Sequence, residues 1–461
     1  MIKTLIPSRI FRAYDIRGIY GDEINALNAN LIGRVLGSMA LEANNDSLLV
    51  GSDARISSPV LKQAVIEGIL DSGCHVVDIG IIPTPLMYFA THSTDYASGV
   101  MITASHNPAN YNGIKIVLNR ICLEPSAILS IYDRVIAKDY SSGKGTLSRL
   151  KIEQQYLDRV INDVALSKPV KVVIDCGNAV AGKIAPILFE KLGCEVIPLY
   201  CEPDGNFPNH HPDPTVAKNL QAMIEKVEQC IADVGIAFDG DGDRLGVVTN
   251  LGTIIDADRL LMLFVQDIVP GYDKPTIVFD VKCSNTLVDV INESGGIPVM
   301  SRSGHTFMKA KMAATGAILG GEFSAHLFLK DRWYGFDDGL YVAARLLELL
   351  TRSDKTMEQL ADALPKSSST PELTIEVAEE EKFKIIEQLS CNMDFEDGKI
   401  STLDGIRVDF ADGWGLIRAS NTTPALLLRF EAKDQIALER IQKLFQKELL
   451  KVDLWLNCQS L

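Results

Sequence analysis

The sequence predicts an α/β protein made of three related domains with mixed sheets, followed by a smaller α+β domain. Two observations support this prediction. An apolar strand that ends in aspartate, a helix and a second strand recur three times, and the repeat is absent after a polar stretch near residue 366. A chain of 461 residues is also long enough for several domains, each with its own core.

The repeated segment is recognised by the aspartate that ends its first strand and the glycine that ends its helix. These pairs are Asp53 and Gly73, Asp175 and Gly193, and Asp280 and Gly295. A strand, a helix and a second strand with apolar runs predict a βαβ unit. Chance similarity within an α/β chain is the alternative. We favour repetition because each copy leads to a polar loop, at 83–85, 203–206 and 303–306.

Changes in composition predict the domain boundaries. The stretch 141–145 is rich in serine and glycine, 250–252 is a turn, and 366–371 is a polar linker. The predicted domains are therefore 1–150, 151–252, 253–366 and 367–461. The last has predicted strands at 373–377, 406–410, 414–419 and 425–432, and predicted helices at about 380–389 and 434–450.

Charge, hydropathy and cysteine content limit the classes of function. The 45 basic residues against 60 acidic residues give a net charge of −15, which argues against a nucleic-acid-binding protein. No apolar run reaches the length of a membrane span, and the N-terminal segment lacks the features of a signal peptide. The nine cysteines form no CxxC pair, so neither a disulfide framework nor a zinc site is predicted. We therefore expect a cytoplasmic protein.

Residues 239–244, DGDGDR, form what we call the metal loop. Asp239, Asp241 and Asp243 follow an apolar strand, and a tight loop can turn all three carboxylates toward one cation. The spacing is similar to the start of an EF-hand, but Arg244 and Asn250 replace the glycine and glutamate that a calcium loop requires. An acidic hairpin turn is the alternative. A site made only of oxygen ligands favours Mg²⁺.

Residues 103–108, TASHNP, form the serine loop, in which Ser105 is a candidate nucleophile. Ser105 and His106 could be a nucleophile and its base, or belong to a polar turn closed by Asn107 and Pro108. A hydrolase triad fits poorly, because the serine is not in a G-x-S-x-G turn and an adjacent histidine makes a productive Ser–His hydrogen bond awkward. Together with the metal loop and the phosphate-type loop RASNTTP described below, the serine is better explained as a carrier of a phosphoryl group.

Two further stretches offer groups for a phosphorylated sugar. RASNTTP supplies a guanidinium, hydroxyls and backbone N–H groups that suit a phosphate, and a polar strand-end loop is the alternative. Its candidate residues are Arg418, Ser420, Asn421, Thr422 and Thr423. In GEFSAH, the alternating Glu322, Ser324 and His326 would point to one side of an extended segment, and a buried structural histidine is the alternative.

Single basic and aromatic residues complete the set of candidates. The N-terminal FRAYDIRG combines arginines with a tyrosine and could serve an anionic or sugar ligand, although the signal is weak alone. Lysines and a histidine lie just after the serine loop and in the third repeat. These candidates are Tyr14, Arg17, Lys115, Lys282 and His305.

Taken together, the motifs resemble those of one enzyme family. FRAYDIRG, TASHNP with YNGIK, DGDGDR, SGHTFMK, GEFSAH and RASNTTP occur in the order typical of the α-D-phosphohexomutases, most similar to the bacterial phosphomannomutase/phosphoglucomutase branch. The resemblance covers essentially the whole chain. It implies four domains around one deep central cleft. Three are related α/β domains, in agreement with the repeat, and the fourth is a TATA-binding-protein-like α+β domain.

The resemblance also implies catalytic and metal-binding roles. Ser105 carries the phosphoryl group, and one Mg²⁺ is bound by Asp239, Asp241 and Asp243 with an oxygen of the phosphorylated serine. Arg244 lies beside the phosphoserine. The remaining implied catalytic groups, which act near the reacting hydroxyl as acid/base or electrostatic helpers, are Lys115 and His305.

The resemblance assigns the other candidates to substrate binding. Glu322 and Ser324 hold the 3- and 4-hydroxyls of the sugar, and His326 and Lys282 contact sugar and phosphate. Tyr14 and Arg17 line the cleft. The phosphate that is not transferred is held by Arg418, Ser420, Asn421, Thr422 and Thr423.

The implied reaction interconverts hexose 1-phosphate and hexose 6-phosphate, of mannose and glucose, through a hexose 1,6-bisphosphate that is both intermediate and activator. The histidine of GEFSAH is similar to the mannose/glucose branch, whereas Phe323 stands where that branch usually has methionine. The alternatives are a phosphoglucosamine mutase, a metal-dependent sugar phosphatase and a non-catalytic phosphosugar-binding protein. We expect small-molecule phosphosugars as partners, with no nucleic acid and no membrane, and we expect a monomer.

Overall fold

The computed structural model describes residues 6–378, 381–395, 397–420 and 424–452, without the side chain of residue 392. The chain divides into two compact units, Met1–Leu260 with Ser324–Asp362, and Leu261–Phe323 with Ala363–Leu461. The predicted fold class is confirmed: three α/β regions with parallel or mixed sheets precede an antiparallel α+β region. Within the described part of the chain, no helix is both long and apolar enough to cross a membrane.

The first region, in the first unit, is built on a seven-stranded mixed sheet in the order β1-β5-β4-β2-β3-β7, with β6 beside β5. Strands β3 and β4 both run parallel to β2, whereas β5 is antiparallel to its neighbours. The elements are β1 (Ile16–Ile19), α1 (Ala26–Glu42), β2 (Ser47–Ser52), α2 (Ser58–Asp71), β3 (His75–Ile81), α3 (Thr84–Ser93), β4 (Gly99–Ile102), β5 (Tyr111–Leu118), β6 (Ile121–Cys122), α4 (Pro125–Ala137) and β7 (Leu147–Arg149).

The second region, also in the first unit, has a five-stranded sheet in the order β12-β11-β10-β8-β9. Strands β9 and β10 run parallel to β8, and β11 and β12 continue the sheet in antiparallel fashion. The elements are α5 (Glu153–Ile161), β8 (Lys171–Asp175), α6 (Ala185–Lys191), β9 (Glu195–Leu199), α7 (Gln221–Cys230), β10 (Val234–Phe238), β11 (Leu245–Thr249) and β12 (Ile254–Ile255).

The third region repeats the arrangement in the second unit, where β14 and β15 run parallel to β13. Its elements are α8 (Ala257–Ile268), β13 (Thr276–Asp280), α9 (Asn285–Glu293), β14 (Ile297–Ser301), α10 (His305–Thr315) and β15 (Leu319–Gly321). The chain then returns to the first unit with β16 (Leu327–Leu329), α11 (Gly339–Arg352) and α12 (Met357–Asp362). Helix α11 packs against β10, β11 and β16.

The C-terminal region, in the second unit, is an antiparallel sheet in the order β17-β22-β21-β20-β19, with β18 also paired to β22. Its two helices cover a core of aliphatic and aromatic side chains. The elements are β17 (Ser368–Ser369), β18 (Leu373–Glu376), α13 (Lys382–Asn392), β19 (Lys399–Ser401), β20 (Ile406–Phe410), β21 (Gly413–Ala419), β22 (Ala425–Ala432) and α14 (Gln435–Leu450).

The three α/β regions share one topology, and it determines where the motifs lie. In each sheet the strand followed or ended by the repeated aspartate, β2, β8 or β13, is flanked by two parallel neighbours. The serine loop follows β4, the metal loop follows β10, and Glu322 follows β15. Ligands of such sheets bind beyond the carboxyl ends of the strands, so each motif lies at the edge where chemistry is expected.

Three local expectations from the sequence were wrong. The predicted polar loops at 83–85 and 303–306 contain the first residues of α3 and α10, Thr84 and His305. Pro85 is compatible with a helix there because proline fits the first turn, where no intrahelical N–H partner is needed. Part of the predicted linker 366–371 is strand β17, which pairs with β22.

A buried aspartate begins helix α11 in the first unit. The Asp338 carboxylate accepts a hydrogen bond from the backbone N–H of Tyr341 at 3.0 Å and another from the hydroxyl of Tyr156 at 2.8 Å. Burial raises the pKa of Asp338 to about 7. An acid whose pKa is raised by folding contributes most to stability at low pH, and this contribution is lost as the pH rises toward 7.

We expect Asp338→Asn, which keeps an acceptor for both donors, to remove this pH dependence. Between about pH 5 and pH 7 the free energy of unfolding of the natural chain should fall relative to that of the variant by up to about 1.4 kcal/mol per pH unit. Urea unfolding at several pH values measures this difference, with the exposed Asp95→Asn as control. A constant difference across this range would show that Asp338 has an ordinary pKa.

Candidate active site

The serine loop holds Ser105 in a backbone conformation that few residues adopt. Ser105 has a φ of 47°, in the left-handed region, and is 2 % exposed. Its N–H donates to Thr103 Oγ1 at 2.9 Å, and the N–H of Asn107 donates to the carbonyl of Ala104 at 2.9 Å. Such strain costs about 1–3 kcal/mol and persists where the surroundings impose it, most often at functional sites.

The Ser105 hydroxyl is directed at the metal loop. Its Oγ donates to Asp239 Oδ2 at 2.6 Å and lies 3.2 Å from His106 Nδ1. The sequence-based expectation that adjacency hinders a Ser–His contact was therefore wrong. Burial, followed by the charges of Arg244 and Arg17, lowers the pKa of His106 well below its ordinary value, which favours the neutral ring.

The metal loop brings three fully buried carboxylates together. Oxygens of Asp239, Asp241 and Asp243 all lie within 4.8 Å of one another. Asp239 Oδ1 accepts from the backbone N–H groups of residues 242, 243 and 244 at 3.0 to 3.2 Å. Among the described residues, Asp241 Oδ1 and Asp243 Oδ1 have no hydrogen-bond partner. Buried oxygens without partners, in an oxygen-only donor set, fit a hard divalent cation.

Lys115 on β5 is the main counter-charge of this cluster. Its Nζ contacts Asp241 Oδ2 at 2.7 Å and Asp243 Oδ2 at 2.6 Å, and Thr84 Oγ1 donates to the same Asp241 oxygen at 2.5 Å. Burial would lower the pKa of Lys115, but the two carboxylates outweigh it and raise that pKa above its ordinary value. Burial and the charges of Asp243 and Asp241 raise the pKa of Asp239 well above its ordinary value.

Gly240 lets the metal loop approach the serine loop closely. A Cβ atom at this position would lie 2.1 Å from the Ser105 carbonyl oxygen, so no side chain can be accommodated. The next glycine, Gly242, has a φ of 79°, which favours glycine for conformational reasons. Gly240 therefore allows close contact with the serine loop, whereas Gly242 allows a backbone conformation that other residues rarely adopt.

His326 is held between a guanidinium and carboxylates. Arg244 Nε donates to His326 Nε2 at 3.1 Å. On the other side of the ring, His326 Nδ1 lies 3.1 Å from Asp337 Oδ2 and 3.6 Å from Asp243 Oδ1. Because Nε2 accepts a hydrogen bond, Nδ1 carries the proton when the ring is neutral. Asp337, which sequence reasoning missed, lies beside this nitrogen.

The N-terminal candidates lie next to the serine loop. Arg17 is buried, forms an ion pair with Asp15, and donates from Nη1 to Asn107 Oδ1 at 2.5 Å. Tyr14 is half-buried and lies close enough to Arg244 to contribute to the raised pKa of that guanidinium, which burial alone would lower. These contacts bring Arg17 beside the serine loop and Tyr14 near Arg244.

In the second unit, Asp404 connects two of the predicted motifs. Its Oδ2 accepts from the N–H of Ser303 at 2.9 Å and from Arg418 Nε at 3.2 Å. Ser303 precedes His305, which begins α10 and is 5 % exposed. Sequence reasoning missed Asp404, which lies in a turn with no chemical signature of its own.

Lys282 and Glu322 belong to the same neighbourhood. Lys282 Nζ lies 3.3 Å from Glu372 Oε2. Burial lowers the pKa of Lys282, but the charges of Glu372 and Asp280 outweigh burial, so the pKa is raised above its ordinary value. Glu322 Oε1 accepts from the N–H of Gly304 at 2.5 Å. The second unit therefore gathers a lysine, a carboxylate and the Arg418 guanidinium in one predominantly buried group.

The described candidates fall into two groups. The first unit contains Tyr14, Arg17, Ser105, Lys115, Asp239, Asp241, Asp243, Arg244, Ser324 and His326. The second unit contains Lys282, His305, Glu322, Arg418 and Ser420. Asn421, Thr422 and Thr423 lie outside the described residues. The extended conformation predicted for GEFSAH was wrong, because residues 323–325 form a turn in which Ala325 has a φ of 71°.

Comparison with known proteins identifies the family. Models of four successive domains, described as phosphoglucomutase/phosphomannomutase alpha/beta/alpha domains I, II and III and the C-terminal domain, match residues 8–141, 154–252, 256–368 and 372–448. The chain belongs to the phosphoglucomutase/phosphomannomutase family. The succession of three α/β regions and a C-terminal region in this structure follows the order of the four matched domains.

Individual members of the family are similar over nearly the whole chain. A Pseudomonas aeruginosa phosphomannomutase/phosphoglucomutase is 52% identical over 448 residues, 97% of each chain. A Neisseria gonorrhoeae phosphoglucomutase is 46% identical over 446 residues, 96% of each chain. The crystal structure of a Burkholderia thailandensis family protein, 44% identical, has a TM-score of 0.93 and covers 97% of this chain and 98% of its own. The chain is therefore an enzyme, a hexose phosphate mutase.

Thr84, Asp337 and Asp404 contact predicted site residues, but no pattern in the sequence indicated these contacts. Thr84 donates to a residue 157 positions later, and Asp337 lies 11 positions after His326. The pair Asp337-Asp338 before an apolar helix does indicate a helix start, because aspartate is a common N-cap. Asp338 fills this role.

We expect Gly240→Ala to displace the serine loop, because the added methyl group would overlap the Ser105 carbonyl oxygen. Mutase activity should fall by about a hundredfold, the typical cost of a displacement of about 1 Å in a reacting group. Initial rates and thermal unfolding measure the effect. The control is Gly271→Ala, where a Cβ meets no atom within 4 Å. Similar activity in both variants would contradict the predicted overlap.

Proposed function

We propose that this enzyme interconverts hexose 1-phosphate and hexose 6-phosphate through a phosphorylated Ser105. The observation that carries the proposal is the 2.6 Å hydrogen bond from Ser105 Oγ to Asp239, within a buried cluster of three carboxylates. A phosphoryl group on this oxygen would lie beside the metal loop. The serine would donate the group to the free hydroxyl of the substrate and recover one from the resulting 1,6-bisphosphate, so that phosphate is conserved.

The donor set of the metal loop fits Mg²⁺, and we propose one ion held by Asp239, Asp241 and Asp243. When bound, Mg²⁺ would offset the negative charge that builds up on a transferring phosphoryl group. The fit rests on the two buried oxygens without partners, Asp241 Oδ1 and Asp243 Oδ1, among the described residues. Lys115 supplies one positive charge to the two carboxylates that it contacts, those of Asp241 and Asp243.

Lys115 and Arg244 act electrostatically in this proposal. The ammonium group of Lys115, whose pKa is raised by Asp241 and Asp243 against the effect of burial, would stabilise negative charge on the transferring group. Arg244, which lies between Asp213 and His326, would contact a phosphoryl group on Ser105. His305 remains the candidate for acid/base help at the reacting hydroxyl. His326, whose Nδ1 lies 3.1 Å from Asp337 Oδ2, would contact the substrate.

For substrate binding we propose the residues that the motifs singled out. Glu322 and Ser324 would hold sugar hydroxyls, and Tyr14 and Arg17 would line the cleft. The phosphate that stays on the substrate would be bound by Lys282, Arg418, Ser420, Asn421, Thr422 and Thr423. Support comes from Lys282 and Arg418, two cations that lie near enough for their charges to interact.

The proposed substrates are the mannose and glucose phosphates named by the Pseudomonas relatives, with hexose 1,6-bisphosphate as activator and intermediate. The Neisseria relatives are named for glucose alone. We further propose that the enzyme works as a monomer in the cytoplasm, with phosphosugars as its partners.

Ser105→Ala is expected to abolish mutase activity, because the phosphoryl carrier is removed. The experiment compares mannose 1-phosphate, glucose 1-phosphate and glucosamine 1-phosphate as substrates, with Mg²⁺ and a trace of glucose 1,6-bisphosphate. Intact-mass analysis should find one phosphate on the natural chain and none on the variant. Retention of most activity by the variant, or release of free phosphate without isomerisation by the natural chain, would contradict the proposal.

Mg²⁺ is expected to raise the unfolding temperature of enzyme first treated with EDTA. A ligand that binds only the folded state at a hundred times its dissociation constant stabilises by about 2.7 kcal/mol. Asp243→Asn should weaken this response, and Asp78→Asn, which alters an ion pair with Lys62 away from the metal loop, should not. An equal Mg²⁺ response in all three proteins would show that the ion binds elsewhere.

A further inference from the structure

The aspartates of the threefold repeat have no part in the proposed chemistry, yet all three are buried at the ends of central strands. Asp53 follows β2, Asp175 ends β8 and Asp280 ends β13. Each accepts a hydrogen bond from the segment that follows its own strand. Their placement next to the motif loops indicates a shared task in shaping those loops.

Asp53 is 1 % exposed and holds the side chain of Arg55. Its Oδ1 accepts from the backbone N–H of Arg55 at 3.0 Å and from Ser58 Oγ at 2.5 Å. Its Oδ2 accepts from Arg55 Nε at 3.1 Å. The carboxylate therefore fixes both the start of the arginine, at the backbone, and its end, at the guanidinium.

Arg55 is itself 1 % exposed. The two remaining nitrogens of its guanidinium donate to backbone carbonyls in and beside the serine loop. Nη2 donates to the carbonyls of Ser105 at 2.7 Å and Asn107 at 2.6 Å. Nη1 donates to the carbonyls of Pro108 at 2.6 Å and Tyr111 at 3.1 Å. A guanidinium has five N–H groups, and with the Asp53 contact all five are used.

We propose that Arg55, oriented by Asp53, is the positioning residue that holds the serine loop in its reactive conformation. The inference rests on the proposed function, in which Ser105 carries the phosphoryl group. Arg55 fixes the carbonyl of Ser105 itself, and this peptide group adjoins the strained φ of 47° at that residue. By holding three carbonyls of the loop on one rigid group, Arg55 keeps Ser105 Oγ directed at Asp239.

The arrangement also has an electrostatic consequence. A phosphorylated serine adds about two negative charges at neutral pH, and carbonyl oxygens directed at it would oppose them. Arg55 turns the carbonyls of Ser105, Asn107 and Pro108 toward its own positive charge. The loop then has less negative potential on the side where a phosphoryl group would lie.

A lysine cannot reproduce this contact set. Lysine ends in one nitrogen with three donors, whereas the planar guanidinium reaches four carbonyls and a carboxylate in fixed directions. The other face of Arg55 is covered by the ring of Phe207, 5.1 Å from the guanidinium carbon. Gly205 also packs against this segment, since a Cβ there would lie 2.5 Å from the Ile56 nitrogen.

The other two aspartates of the repeat make comparable contacts, each within its own region. Asp175 accepts from the N–H of Gly177 at 2.9 Å and contacts His210 Nε2 at 2.9 Å. Asp280 accepts from the N–H of Phe323, in the GEFSAH motif, at 3.1 Å. The shared position of the aspartates thus accompanies a shared contact with loops beyond the strand ends.

The test compares Arg55→Lys with Arg345→Lys, a matched change in the first unit. Arg345 is also buried and pairs with Asp331 at 2.7 Å, away from the serine loop. We measure kcat and KM for glucose 1-phosphate, and the rate at which dephosphorylated enzyme gains phosphate from glucose 1,6-bisphosphate by intact mass. All rates are taken well below each unfolding temperature.

For Arg55→Lys we expect kcat and the rate of phosphate gain to fall together by about a hundredfold, the cost of a displacement of about 1 Å, with KM unchanged. Arg345→Lys should lower the unfolding temperature but leave kcat and the rate of phosphate gain close to those of the natural chain. A merely structural role of Arg55 would lower the unfolding temperature and leave the rates per folded molecule unchanged, which would overturn the inference.

Asp53→Asn provides a second variant should Arg55→Lys fail to fold. It leaves the carbonyl contacts of Arg55 possible but removes the charge that orients the guanidinium, so the same fall in kcat at constant KM is expected, to a smaller extent. If folded Asp53→Asn has the same kcat and rate of phosphate gain as the natural chain, the role given to Asp53 is overturned. If the natural chain gains no phosphate at Ser105, the proposed function fails. If it does and Arg55→Lys gains phosphate equally fast, only this inference fails.

Discussion

Buried negative charge in the metal loop is the constraint on which the rest of the site depends. Three carboxylates, each fully buried, lie within five residues of chain. Isolated buried charges are costly, so each needs a partner. Backbone N–H groups satisfy Asp239, while Lys115 and Thr84 reach the other two from the first region. The charge cluster therefore fixes the metal loop against the sheet that carries the serine loop.

The same constraint explains why Ser105 is held in a strained conformation. The serine loop must pass close to Gly240, with room for no side chain between them, and still direct Oγ at Asp239. A left-handed serine meets both requirements, and the strain is balanced by hydrogen bonds to its N–H and carbonyl groups. Backbone strain, close packing and charge are thus combined at one residue.

The fold was largely predictable because its signals are local. Alternating or continuous apolar runs marked the strands, and the predicted bounds of β20 and β22 agree with the structure residue for residue. The metal loop and the serine loop were likewise recognised from residues within six positions of one another. Helix starts at Thr84 and His305 were missed because polar residues typical of loops are also typical of first turns.

The supporting contacts were not predictable, because they join residues far apart in the chain. Arg55 bonds to carbonyls 50 to 56 positions later, and backbone carbonyls have no side-chain signature in a sequence. The arrangement of GEFSAH was mistaken for a different reason, since the left-handed backbone of Ala325 is uncommon for that residue type. Sequence patterns thus predicted the candidate reacting groups, and the structure shows the contacts that hold them.

The most direct test of this account is the position of the metal ion relative to Ser105. Crystals of the full chain grown with Mn²⁺ in place of Mg²⁺ allow the ion to be located by its anomalous scattering. The account predicts one strong peak bound by Asp239, Asp241 and Asp243, with an oxygen of the phosphorylated Ser105 beside it. A peak elsewhere, or none at this cluster at saturating Mn²⁺, would contradict it.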